Sequence, residues 1–215
     1  HLVRIRVTEF STLVAYLLLP KGLEEGKERP ALIVSHGHLS HGMDAMCGLG
    51  DSEDGDDARA YGLFAVRKGY VVLAPAWWGW PGRDGHSGLV GRRDKCNVIQ
   101  MAASKYGINV LDLHIQDGQA AVDVLASRAD VNAERIACIG NSYGGRTTMW
   151  MAIFDERIRA CVPAGCMNTF RERSLKLSSC GLQDLPGILR YGDVPELFCL
   201  IAPERCNFRQ EKGTD

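Results

Sequence analysis

Five short apolar runs, at 13–19, 31–35, 70–76, 135–140 and 158–163, recur along the sequence with helical patterns between them. Strands that alternate with helices do not pair as hairpins. The chain is therefore predicted to form an α/β fold with a mostly parallel sheet and helices on both faces. Ala31-Leu32-Ile33-Val34 and Val71-Val72-Leu73-Ala74 are apolar at every position, as strands buried on both faces must be. Val3-Arg4-Ile5-Arg6-Val7 alternates instead, the pattern of a half-exposed strand, so the amino end is expected at the sheet edge.

The segments between the runs carry helix signals. Asp56 and Asp57 are placed to cap a helix running to Lys68, with Gly69 as its left-handed stop. Leu111, Ile115, Gly118, Val122 and Leu125 form one apolar stripe on a long helix ending near Arg128. Residues 146–154 read as a third helix. Residues 168–190, punctuated by Gly181, Pro186 and Gly187, read as a looser helical insertion.

Lys and Arg number 25 against 26 Asp and Glu, so charge gives no pull toward nucleic acid or an anionic membrane, and neither is expected as a partner. No apolar run approaches the roughly 20 residues of a membrane helix. The eight cysteines include no Cys-x-x-Cys pair, so the spacing predicts no metal site. Cys138 and Cys161 lie in apolar runs as small hydrophobes, which favours a reducing, cytoplasmic location.

Cys138-Ile139-Gly140-Asn141-Ser142-Tyr143-Gly144-Gly145 places Gly-x-Ser-x-Gly between a predicted strand and a predicted helix. This is the pattern of a nucleophile elbow, a turn tight enough to expose the serine hydroxyl at the end of the strand. Gly140, Gly144 and Gly145 supply the missing bulk that such a turn requires. The Tyr143 amide, at the helix amino terminus, is suited to receive an oxyanion.

With His36-Gly37-His38 after the 31–35 strand, the sequence resembles the α/β-hydrolase superfamily, and within it the dienelactone-hydrolase-like and acetyl-xylan-esterase-like carboxylesterases. Tyr16-Leu17-Leu18-Leu19-Pro20, the run from Gly69 to Pro75, Asp155-Glu156-Arg157-Ile158 and Leu200-Ile201-Ala202-Pro203 extend the resemblance over most of residues 11–203. The resemblance implies a serine carboxylic ester hydrolase without a cofactor. Ser142 would be the nucleophile, and the amides of Tyr143 and His38 the oxyanion donors. The side chains of His36 and His38 are expected to brace their loop, and His41 is expected to be a loop residue. Trp77 and Trp78, after the 70–76 strand, are candidate walls of an acyl or sugar site. The implied partner is a small ester or an acylated carbohydrate.

The superfamily order is serine, acid, histidine. Here His1, His36, His38, His41, His86 and His114 all precede Ser142. Gly213-Thr214-Asp215 resembles the acid loop, making Asp215 a candidate for the triad acid. His114, beside the apolar stripe, is expected to be a satisfied border residue. The missing base suggests a single hydrolase domain over 1–215, incomplete at its carboxyl end, with an exposed sheet edge open to self-association. Two alternatives stay open: a non-catalytic relative or fragment, and a serine peptidase of the prolyl-oligopeptidase-like branch. Asp51 to Asp57 read as solvated acids near a helix start, not as a calcium loop.

Overall fold

The predicted apolar runs all form strands in the computed structural model, which describes residues 1–22, 26–49, 59–84, 95–176, 180–201 and 205. β1 (Leu2–Arg6) and β2 (Thr12–Leu18) form a hairpin at one edge. β3 (Arg29–Ser35), β4 (Val71–Pro75), β5 (Val131–Asn141) and β6 (Ile158–Ala164) complete a sheet of order β1-β2-β4-β3-β5-β6. The pairings among β3, β4, β5 and β6 are parallel, and those of β2 with β1 and β4 are antiparallel.

Alternation along the strands sorts side chains onto two faces. Ala31, Ile33, Val71, Leu73, Ile136 and Cys138 join one core cluster, which also holds Leu111, Val122 and Leu125 of the long helix. Val34, Val72 and Ala74 join a second cluster with Ala45, Met46 and Ala65. The second face is covered by α1 (Met43–Met46) and α2 (Tyr61–Arg67). α3 (Lys95–Ser104) and α4 (Val110–Ala126) connect β4 to β5, and α5 (Tyr143–Phe154) connects β5 to β6. The insertion after β6 comprises α6 (Phe170–Lys176), short 3₁₀ turns at Gly181–Gln183 and Ile188–Arg190, and α7 (Val194–Cys199).

The chain leaves β3 toward β4 but leaves β5 toward β6, in the opposite direction along the sheet. β3 and β5 are neighbours, so their carboxyl ends open onto the crevice where open α/β sheets bind ligands.

Several boundaries differ from the expectations. α2 starts at Tyr61 with Ala60 as its cap, and Asp51 to Asp57 lie outside the described residues. α4 is capped by Asn109, whose side chain accepts from the Leu111 amide at 2.9 Å. The helix read over 146–154 begins at Tyr143, directly after the serine turn. β6 is the last strand among the described residues, and its Cys161 amide donates to Arg205 O at 2.7 Å. Leu200, at the end of α7, is 59% exposed.

One buried ion pair ties the two ends of this frame together. Arg83 bonds Asp117 of α4, Ser11 at the start of β2, and the carbonyl of Ala76 after β4. Its guanidinium also lies 4.3 Å from the centre of the Trp78 ring. Burial pushes the Asp117 carboxyl up, and the hydrogen bond from Arg83 opposes that rise. Removing one partner would strand a charge out of water. Asp117→Ala is expected to lower the unfolding free energy by about 3–5 kcal/mol in urea titration. Arg159→Ala, which breaks the exposed pair with Glu134, should change it by less than about 1 kcal/mol.

Candidate active site

Ser142 alone forms the turn between β5 and α5. Its backbone sits at φ 58° and ψ −119°, and among the described residues it is the one non-glycine with positive φ. A side-chain-bearing residue there costs on the order of 1–3 kcal/mol. Two bonds hold it: the Ser142 amide donates to Ala164 O at the end of β6 at 2.9 Å, and its carbonyl accepts from Arg146 at 3.1 Å.

The glycines around it have the steric task read from the sequence. A Cβ on Gly144 would stand 2.1 Å from Ser35 O, one on Gly145 2.1 Å from Ala164 O, and one on Gly140 2.4 Å from Gly144 O. Real Cβ atoms do not approach so closely. The elbow can therefore sit against the ends of β3 and β6 only with hydrogen at these positions.

By position Ser142 is the N-cap of α5, yet its side chain caps no amide. An N-cap serine ordinarily commits its oxygen to the N2 or N3 amide. Here the residue is exposed and lines a cavity of about 190 Å³ with Gly37, His38, Leu39, Met46 and Tyr61. A Cβ on Gly37 would come within 3.4 Å of the Ser142 Cβ, so the loop after β3 and the elbow are in contact. The Tyr143 amide is the first of its helix and has no intrahelical acceptor. The His38 amide has no backbone acceptor among the described residues. Ser142 and both candidate oxyanion donors thus belong to one small region. A larger cavity of about 610 Å³ lies in the 170–190 insertion, and none of the elbow residues lines it.

Two buried histidines brace this region, and their tautomers follow from their partners. His36 Nε2 accepts from the Trp77 amide at 3.1 Å, so Nδ1 carries the proton and donates to Gly37 O at 3.0 Å. Burial brings its pKa down to about 4. His114 Nε2 accepts from the Trp78 amide at 3.0 Å, so Nδ1–H donates to the Tyr143 hydroxyl at 2.6 Å. Burial holds His114 well below the ordinary histidine range and the Tyr143 phenol well above its own. His114 is 1% exposed, so it is a core residue and not the border residue expected. The Tyr143 ring is stacked on Trp80, with centroids 5.1 Å apart.

Trp77 does not wall a ligand site. It is 0% exposed, because it continues the alternation of Val71, Leu73 and Pro75 onto the face covered by α4. Trp78 is half-buried with the Arg83 guanidinium 4.3 Å from its ring centre. It is Trp80 that lines a cleft with His38, Ser40 and Lys95. Met46 and Tyr61, in the serine cavity, carry no functional signal in the sequence. Asp215 and His86 lie outside the described residues.

Neither His36 nor His114 has a ring nitrogen left for Ser142, so both are structural. Because the folded pKa of His114 lies below its unfolded value near 6.5, its stabilising effect is complete above that value and is lost as pH falls below it. Urea titrations between pH 7 and 5 should show wild-type stability falling more steeply than that of His114→Gln, by up to about 1.4 kcal/mol per pH unit. Ser142→Gly, which relieves the positive φ, should be more stable than Ser142→Ala by about 1 kcal/mol in the same measurement.

Residues 109–172, spanning α4, the elbow and β6, match the prolyl oligopeptidase family. The Bacillus subtilis protein YtaP, named as a hydrolase, is 29% identical over 196 residues, covering 88% of this chain and 61% of its own length. Dipeptidyl-peptidase 5 of Porphyromonas gingivalis is 24% identical over 166 residues, 76% of this chain and 21% of that protein. A Bacteroides fragilis structure described as an acetyl xylan esterase superposes with a TM-score of 0.78 at 18% identity, over 95% of this chain and 57% of that one. The chain spans about three fifths of the length of YtaP and of the esterase structure. The sheet order, the serine elbow at its switch point and these matches agree that the chain has the α/β-hydrolase fold.

Proposed function

We propose that this chain carries the nucleophile and oxyanion hole of a serine hydrolase acting on small carboxylic esters. The observation that carries the reading is Ser142 itself: a strained, exposed N-cap serine whose side chain caps nothing, facing a cavity it shares with His38. Its hydroxyl attacks the ester carbonyl, and the amides of Tyr143 and His38 receive the developing oxyanion. Collapse expels the alcohol and leaves an acyl-serine, which water hydrolyses to the acid. A cavity of about 190 Å³ suits a short acyl group such as acetyl, on a simple alcohol or a carbohydrate. The resemblance to the acetyl xylan esterase fold supports the ester reading, and the prolyl oligopeptidase match favours a peptidase as the second.

The proton of Ser142 needs a base. Among the described histidines, His36 and His114 are fully bonded elsewhere, and the Nε2 of His38 points to Cys96 at 3.6 Å. None pairs with both Ser142 and a carboxylate, so the base is sought outside the described residues. Loss of a triad member costs on the order of 10⁴ to 10⁶ in turnover.

Because every histidine of the chain precedes Ser142, against the superfamily order, the 215-residue chain is expected to hydrolyse an activated acetyl ester near background, with Ser142→Ala changing little. Imidazole added as an external base should restore turnover that depends on Ser142 and exceeds turnover of a dipeptidyl anilide by at least about tenfold. A preference for the anilide would favour the peptidase reading. Imidazole-stimulated turnover unchanged in Ser142→Ala would remove Ser142 as nucleophile.

A further inference from the structure

A cluster that the esterase reading does not use lies behind the oxyanion loop. His38 Nε2 is 3.6 Å from Cys96 Sγ, and the ligand atoms of His38, Cys96 and Cys180 all lie within 4.8 Å of one another. Both cysteines are buried, at 5% and 7% exposure, while His38 is exposed and leaves the group open on one side.

Three separate pieces of the fold deliver these groups. His38 comes from the loop after β3, Cys96 from the first turn of α3, and Cys180 from the residue before the Gly181–Gln183 turn. The last two pieces are locked together, because the Gly181 amide donates to the Asn97 side chain at 2.6 Å. The His38 ring is held edge-on to Trp80 and Tyr143, each at 5.3 Å between centroids. The donors are therefore pre-positioned by rigid neighbours.

We infer that His38, Cys96 and Cys180 form a zinc-binding site with three protein ligands and one open position. Tetrahedral zinc, with Zn–S near 2.3 Å and Zn–N near 2.0–2.1 Å, sets its sulfur and nitrogen ligands about 3.6 Å apart and its two sulfurs about 3.8 Å apart. The His38–Cys96 separation already equals the first edge, and the limit of 4.8 Å on the other pairs leaves at most about 1 Å to close. Two thiols and an imidazole select zinc over calcium or magnesium, whose ligands are oxygens. On binding, Cys96 and Cys180 each lose a proton to solvent and bind as thiolates. His38 binds through neutral Nε2, and no electron is transferred. The bound ion would join α3 and the 170–190 insertion to the loop that supplies the His38 amide.

The test uses the reduced 215-residue chain, stripped with EDTA and exposed to zinc chloride. A single zinc ion per chain is expected after gel filtration, with affinity falling at least about tenfold in Cys96→Ser, in Cys180→Ser and in His38→Ala. Cys199→Ser, which changes an exposed cysteine outside the cluster, should bind as wild type. Cobalt(II) in place of zinc should give thiolate charge-transfer absorption in the near ultraviolet. Should the cysteine variants fail to fold by circular dichroism, the wild-type cobalt spectrum and the surface variant His38→Ala decide. Failure of the reduced wild type to retain zinc would overturn the inference. So would retention unchanged by all three substitutions, or a Cys96–Cys180 disulfide in a chain that takes up no zinc once reduced. None of these readouts involves esterase activity.

Discussion

The approach of Gly144 to the carbonyl of Ser35 is the contact on which the rest of the site depends. It lets the first turn of α5 lie directly against the end of β3, so the two loops at the switch point share one space. Gly145 makes the equivalent approach to Ala164 at the end of β6, and the Ser142 amide bonds that same carbonyl. With both sides of the elbow pinned, Ser142 has no route to an ordinary helical cap geometry. Its positive φ is imposed by packing and is not a local preference.

Around that contact the molecule uses neutral imidazoles as fixed acceptors. His36 and His114 receive the amides of Trp77 and Trp78, consecutive residues just past the end of β4. One histidine comes from the β3 loop and the other from α4, so the carboxyl end of β4 is gripped by two different elements. Burial keeps both rings uncharged, which is the condition for accepting a hydrogen bond. A histidine near a serine elbow invites a catalytic reading, and here bond geometry argues for a mechanical one.

The sheet was legible because each buried strand is apolar throughout and each crossover has its own periodicity. The elbow was legible because its glycines are required at fixed offsets from the serine. The burial of Trp77 is itself legible: counting by two from Val71 through Leu73 and Pro75 carries it to the α4 face. α3 carries little signature in the sequence, because Cys96 is the one fully buried residue of its ten and leaves hardly any apolar stripe. The grouping of His38, Cys96 and Cys180 could not be read from spacing, since 58 and 84 residues separate them and only tertiary packing closes those intervals. The depth of His114 was hidden likewise, because its partners, Trp78 and Tyr143, come from two other elements.

The double grip on Trp77 and Trp78 bears on how a fold of this kind can change over time. Past Trp78 the chain leaves a root fixed by β3 and α4 together, and the buried Arg83–Asp117 pair fixes it again a few residues on, so only the stretch between Arg83 and α3 can be rebuilt without loosening these bonds. The same holds after Cys166, beyond the strand end that anchors the elbow. Mutational drift in these two stretches is thereby uncoupled from the position of Ser142. New pocket walls, and with them new substrates, can be tried on a frame that has already settled where the serine stands.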